Sequence, residues 1–242
     1  MLAQYLTQTA RLLQNPPAAP ALYATSDLTS FINTARGQVA GDAECIRVLG
    51  SLPLAVGNRG PYPFSAINVG TSSVTGVDGP FNVRQVMVVI GGGNLNVRSR
   101  PWPWFQLYKL SRVVPPTGRP STFSQYAQGT SGSLYFDPVP DVAYVAAVDT
   151  VCRPIALVDD TTVEAIPYPW TDAVPFFAAY LALLSAQRAA DADAMLKRYE
   201  NFRDRARKSS TPGVLPGQYP QQSDPTMENK LGLAAQRGGA GG

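Results

Sequence analysis

From Phe176 to Leu184 the chain reads Phe-Phe-Ala-Ala-Tyr-Leu-Ala-Leu-Leu, apolar on nearly every side of a helix. Such a helix cannot lie on a surface and needs apolar neighbours on several sides. The rest of the sequence therefore has to supply a shell for it. Thr171 or Asp172 can open this helix, with Pro175 tolerated in its first turn. Asp191 can cap a following helix that places Met195, Leu196, Tyr199, Phe202 and Ala206 on one side. Its other side carries Lys197, Arg198, Glu200, Arg203, Asp204, Arg205 and Arg207, so it is amphipathic and peripheral.

The amino-terminal end supplies candidates for the shell. Leu2, Tyr5, Leu6, Thr9, Leu12 and Leu13 recur at helical spacing, and the run ends at Asn15 before Pro16 and Pro17. After a Pro/Ala linker, Ser26 or Asp27 can cap a second helix whose stripe is Leu28, Phe31, Ile32, Ala35, Val39 and Ile46. Two helices cannot bury these stripes alone, so the simplest packing joins both ends of the chain. Leu28, Phe31, Ile32, Val39, Phe177, Tyr180, Leu181, Leu184 and Tyr199 are then expected to meet in one core. A fragment ending at Ser51 is expected not to fold.

Between the two ends the pattern changes. Charged residues make up only 15% of the chain, while 22 Pro and 21 Gly mark frequent turns. The strands expected are Val83–Ile90, Leu95–Arg98, Phe105–Leu110, Leu134–Phe136, Ala143–Val148 and Thr162–Ile166. The fold class is α+β: a discontinuous helical bundle from both chain ends, with a large inserted β-sandwich or barrel-like domain and an extended carboxy-terminal arm. The boundaries are 1–50 and 166–208 for the bundle, 51–165 for the β domain and 209–242 for the arm.

The chemistry of most enzymes is missing. With no histidine, Ser-His-Asp and Cys-His arrangements and histidine-ligated metal sites are impossible. Gly91-Gly92-Gly93-Asn94 lacks the spacing of a phosphate loop and suits a hairpin turn. Gly129-Thr130-Ser131-Gly132-Ser133 misses the GxSxG elbow. Asp159 and Asp160 are adjacent and would point to opposite faces of a strand, so they make a poor acid/base pair. Cys45 and Cys152 suggest neither a zinc ribbon nor a disulfide framework. No enzyme activity, cofactor or metal is expected. The amino terminus does not read as a signal peptide, and Val174–Leu184 is short of the ~20 residues that span a bilayer, so a protein made in the cytoplasm is expected.

Charge position says more than the net +3. No Asp or Glu lies between Gly79 and Phe136, whereas Arg84, Arg98, Arg100, Lys109, Arg112 and Arg119 do. Beyond it, Asp137, Asp141, Asp149, Asp159, Asp160, Glu164 and Asp172 face one cation, Arg153. Either paired strands set these charges opposite one another within the sheet, or they form complementary faces between subunits. In the second case Arg98, Arg100 and Arg112 of one copy meet Asp141, Asp149, Asp159 and Asp160 of the next. Trp102, Trp104 and Phe105 among Pro101 and Pro103 either cover a core edge or interface, or stack on a sugar or base. Beyond Lys208 the sequence is rich in Pro, Gly, Gln and Ser and cannot bury enough surface to order alone. It is a passive tail or a segment that orders on a partner through Tyr219, Met227, Lys230, Leu231, Leu233 and Arg237.

Two stretches resemble a known family. Tyr23-Ala24-Thr25-Ser26-Asp27-Leu28-Thr29-Ser30-Phe31-Ile32-Asn33-Thr34-Ala35-Arg36, with Val39 and Cys45 beyond it, resembles the second helix of head-to-tail adaptor proteins of tailed bacteriophages. Tyr168-Pro169-Trp170-Thr171-Asp172 through Leu184, with Asp191 to Arg207 and its Met-Leu-Lys-Arg-Tyr-Glu core, is similar to that family's closing helices. The resemblance, closest to the tail tubular type, implies a virion protein that forms a dodecameric ring beneath the portal protein and holds tail nozzle or tail tube proteins below. It further implies that genomic DNA passes through the ring without sequence reading, that the arm reaches onto the portal, and that no membrane is involved. A siphovirus-type head-completion protein is the neighbouring alternative. A glycan-binding module using the tryptophans and a direct nucleic-acid binder are the rivals outside the family.

Overall fold

The computed structural model describes residues 1–15, 22–69 and 76–210. Met1–Ala206 is one compact unit and Arg207–Gly242 a second, of which the described part is the last turn of α5. The expected anchors Tyr219, Met227, Lys230, Leu231, Leu233 and Arg237 lie outside the described residues, as does most of the Pro/Ala linker.

Helix α1 spans Leu2–Leu12 and α2 spans Thr25–Ala43. Between them Asn15 acts as a clasp, its Oδ1 accepting from the backbone N–H groups of Leu22 and Tyr23 at 2.7 and 3.2 Å. Ser26 and Asp27 are not the cap of α2. Its N-cap is Ala24, and Asp27 instead sits in the first turn, where its charge complements the helix dipole. Helix α4 spans Val174–Ser185 with its proline in the first turn, preceded by a 3₁₀ turn, Trp170–Ala173. Helix α5 runs Ala189–Ser210, starting before the expected cap Asp191 and passing two residues beyond the expected start of the arm. Asp191 instead pairs with Arg188 at 2.5 Å.

Seven strands form one sheet in the order β1-β7-β3-β4-β5-β6-β2. Strand β1 is Arg47–Leu54, β2 Tyr62–Pro63, β3 Val77–Ile90, β4 Gly93–Ser99, β5 Thr122–Tyr126, β6 Ser133–Asp137 and β7 Tyr144–Pro154. All neighbours are antiparallel except β4 and β5, which pair in parallel over Arg98↔Thr122 and Ser99↔Phe123. Leu52 and Leu54 on one edge strand share a buried cluster with Tyr62 on the other, so the sheet curls around its own core. The curl nearly closes, because Ser51 of β1 exchanges two 2.8 Å backbone hydrogen bonds with Asn68 beyond β2. The Gly91–Gly92 turn between β3 and β4 is the expected hairpin, both glycines having positive φ.

Two expected strands do not form. Phe105–Leu110 is helical: α3, Trp102–Phe105, runs into one π-helical turn, Gln106–Leu110. Pro101 and Pro103 set the backbone for a first helical turn, which overrides the β preference of the aromatics. Thr162–Ile166 belongs to an irregular connector between β7 and α4 that is held by side chains rather than by a ladder.

The expected helical core divides. Ile32, Val39 and Tyr199 are buried in a cluster with Tyr5, Val174 and Ala178, and Phe31 and Phe177 pack against it. That cluster also takes in Val48 and Cys152 from the sheet and Ile46, which lies between α2 and β1 rather than on α2 as expected, so the helices and one end of the sheet share it. Leu28 belongs to a second cluster with Ala179, Ala182 and Leu183, flanked by Tyr180. Leu181 is half-buried, and Leu184 is 42% exposed. The buried face of α4 carries the small residues Ala178, Ala179 and Ala182, which admit neighbouring helices closely, along with Val174 and Leu183, whereas Leu184 falls on the open side.

Candidate functional site

Two exposed apolar surfaces stand out, and opposite charges accompany them. The first is a ridge that follows β4. Phe105 is fully buried beneath it, and Trp102 packs on Tyr126 and Tyr135 with ring centroids 4.8 Å away in each case. The aromatic–proline cluster thus covers a core edge. Trp104 lies 5.4 Å from Tyr108 and carries the Arg100 guanidinium at 5.0 Å and the Lys109 ammonium at 5.7 Å.

The base of the ridge is fixed electrostatically. Asp137, 1% exposed, takes Lys109 Nζ at 2.7 Å on one carboxylate oxygen and Arg59 at 3.1 Å on the other. Arg59 also donates to the backbone carbonyl of Lys109 at 3.0 Å. One buried carboxylate between two cations leaves the cluster with a net positive charge. Further along, Val139 and Gly118 tie down the end of the ridge through 2.9 and 2.8 Å backbone bonds. Just before the first anchor Leu107 is 64% exposed, and between the anchors the chain is thrust outward, with Val113 98% and Val114 82% exposed.

The second surface is the connector 155–169. Asn33 of α2 brackets Leu157, accepting from its N–H at 2.8 Å and donating to its carbonyl at 3.0 Å. Arg36, fully buried, meets Glu164 in a bidentate pair at 2.8 and 2.9 Å and donates to the Ile155 carbonyl at 2.6 Å. Burial, and next the nearby Glu164 carboxylate, push the Tyr5 hydroxyl pKa well up. Asp160 Oδ1 accepts from the amino terminus and from the Ala3 N–H, both at 2.9 Å. Asp159 Oδ1 accepts from the backbone and hydroxyl of Thr161 and Thr162 at 2.7–3.0 Å. Hydrogen bonds to the charged form hold both carboxyls below the usual aspartate range, chiefly from the Thr161 and Thr162 side chains for Asp159 and from the amino terminus for Asp160. On the outer side Val158 is 79%, Val163 51% and Tyr168 80% exposed.

The residues expected at a subunit interface separate accordingly. Arg98 and Arg112 are exposed and make no ion pair among the described residues, and Arg100 contacts only Trp104's ring among the charged and aromatic contacts found. Asp159 and Asp160 are exposed on the connector. Asp149 is engaged within its own sheet by Arg47, and Asp141 accepts from the Tyr144 hydroxyl at 2.7 Å. Among the described residues the two charge blocks form one ion pair inside the chain, Lys109–Asp137. The exposed Val113–Val114 tip went unmarked in the sequence, and Tyr168 was marked only within the stretch that resembles the family's closing helices. The available signal was an apolar pair fenced by Arg112 on one side and Pro115–Pro116 on the other.

Among the described residues no group of three His, Cys, Asp or Glu could hold a metal ion, and no helix is long and apolar enough to cross a membrane. Cys152 is buried and Cys45 half-buried, with burial pushing the Cys45 thiol up to about 12. A groove of about 380 Å³ between α1, α4 and α5 is lined by Leu12, Pro175, Phe176 and Phe202.

No curated protein matches the chain. The family model described as SU10 adaptor protein matches residues 2–218. That span takes in every helix and strand among the described residues, so the match is not confined to a local motif. The chain belongs to the SU10 adaptor protein family and is a phage adaptor protein.

Proposed function

We propose that the protein is a non-enzymatic head-to-tail adaptor whose copies close into a dodecameric ring, join the portal protein to the tail and line the channel through which DNA leaves. The observation that carries this reading is the family match across residues 2–218, both helical ends included. Packing supports the architecture that goes with it. Clusters shared by α1, α2, α4 and α5 suit a bundle built from both chain ends, with the sheet inserted between them. In this reading the residues after α5 form the arm that orders on the portal, so docking compensates the ordering entropy only where the portal is present. The protein is made in the host cytoplasm and ends in the virion at the head–tail junction.

The rivals outside the family have less to stand on. Two cations already sit over Trp104, and Trp102 is packed between tyrosines, which leaves little open ring for a sugar. A net charge of +3 is modest for a duplex binder.

The test is co-sedimentation of the full chain, and of a version ending at Lys208, with purified portal rings, followed by negative-stain imaging. Rings on the portal from the full chain alone support both the adaptor reading and the role of the arm. Binding by both versions would remove the arm's role, and binding by neither would overturn the reading.

A further inference from the structure

We infer that the ridge at Leu107–Val114 of one copy docks on the connector at Val158–Tyr168 of the next, forming the side-to-side contact of the ring; this rests on the ring reading above. Large side chains exposed to the extent of Val113, Val114, Val158 and Tyr168 are costly to leave in water and mark association surfaces when they cluster. Each surface is also built rather than loose. The ridge is clamped by Asp137 at one end and by Val139 at the other, and the connector by Asn33, Arg36 and the amino terminus.

Charge selects the occupant. The ridge carries Arg100 and Arg112 in a stretch without a single carboxylate, so two ridges repel. The connector carries Asp159, which makes no ion pair among the described residues, beside Asp160, which the amino terminus already pairs, so two connectors repel through Asp159 as well. A ridge against a connector is attractive, and both halves are present on one chain. On each of these aspartates only Oδ1 enters the hydrogen bonds found, so the second oxygen can meet a cation. The complement is therefore a second copy rather than an unrelated partner.

Topology fixes the kind of contact. The ridge rests on β5 and β6 through Trp102, whereas the connector continues β7, and β3 and β4 lie between β7 and β5 in the sheet. Two different patches at separate places on one subunit make a heterologous contact, which repeats from copy to copy until a ring closes. An apolar centre rimmed by charges is the usual anatomy of such an interface.

The test is disulfide trapping in full-length protein. Val114→Cys, Val158→Cys and the double variant are assembled on purified portal rings, oxidised and run on a non-reducing gel. All three contain the buried Cys152 and half-buried Cys45, so the single variants control for them. The expected result is a ladder of covalent multimers from the double variant and single chains from each single variant. Dimers from Val114→Cys alone, or bound chains with no ladder, would overturn the pairing while leaving the adaptor reading intact. Failure of wild-type protein to bind the portal would instead remove the ring reading, and the pairing with it.

Discussion

At the scale of single residues, the connector depends on charges drawn from the far end of the sequence. Arg36 and Glu164 are 1% and 7% exposed, so removing one partner strands a buried charge. Glu164→Leu is expected to cost about 3–5 kcal/mol in urea unfolding, and Arg36→Met together with Glu164→Leu to cost less than that single change. Equal losses for the single and the double variant would show that packing, not the charge pair, holds the connector. Asp159 and Asp160 behave differently because both are exposed. Their folded pKa values lie below the unfolded ones, so their contribution is present above the unfolded value, about 3.9, and is lost as pH falls through the folded pKa. Connector amides are expected to stay protected from hydrogen exchange at pH 5 and to lose protection only at more acidic pH. Opening that begins above pH 5 would contradict the assignment. None of these partners was legible in the sequence. Glu164 and Asp160 could be read as members of an acidic block, but their cations lie 128 and 159 residues away. Reading charges by block cannot find such pairs.

At the scale of elements, what was legible followed periodicity and what was missed followed punctuation. α1, α4, β3, β4 and β6 lie where apolar spacing put them. Strand β1 alternates between exposed and buried along its whole length, yet Gly50 and Pro53 disguise it as a loop. Pro53 is tolerated because β1 stands first in the strand order, at an edge. Gly50 has a steric reason: a Cβ there would lie 2.7 Å from the Ile67 side chain and 3.2 Å from the Asn68 carbonyl. That contact lies next to the Ser51–Asn68 bridge by which the curled sheet approaches closure. Gly50→Val is therefore expected to overpack the seam and cost about 1–3 kcal/mol, read as a lower urea midpoint at unchanged slope. An unchanged midpoint would mean that the segment around Asn68 yields freely and that closure adds little to stability. The ridge was misread for a related reason. Its aromatics favour a strand by composition, and only the two prolines signal the helical turn that leaves Leu107 in solvent.

At the scale of the whole molecule, the arginines sort into two kinds. Arg47 and Arg84 neutralise Asp149 and Glu44 within the chain, while Arg98 and Arg112 make no ion pair among the described residues and Arg100 rests on Trp104. Reversing the first kind would disturb the folded chain itself. Reversing the second, in a triple Arg98→Glu, Arg100→Glu, Arg112→Glu variant, leaves every intrachain ion pair found in place and changes the face offered outward. If that face meets the acidic connector of a neighbour, the triple variant should fold normally by circular dichroism yet form fewer rings on the portal. The deficit should also depend on salt. At 0.05 M salt the charges interact over more than the ~10 Å Debye length of 0.1 M, whereas at 1 M that length falls to ~3 Å and the apolar contact of Val113 and Val114 remains. Ring yield for the variant should therefore be lowest at low salt and recover towards wild type as salt rises. A deficit that ignores salt would point to lost packing, and full assembly at low salt would show that the basic face takes no part in joining one subunit to the next.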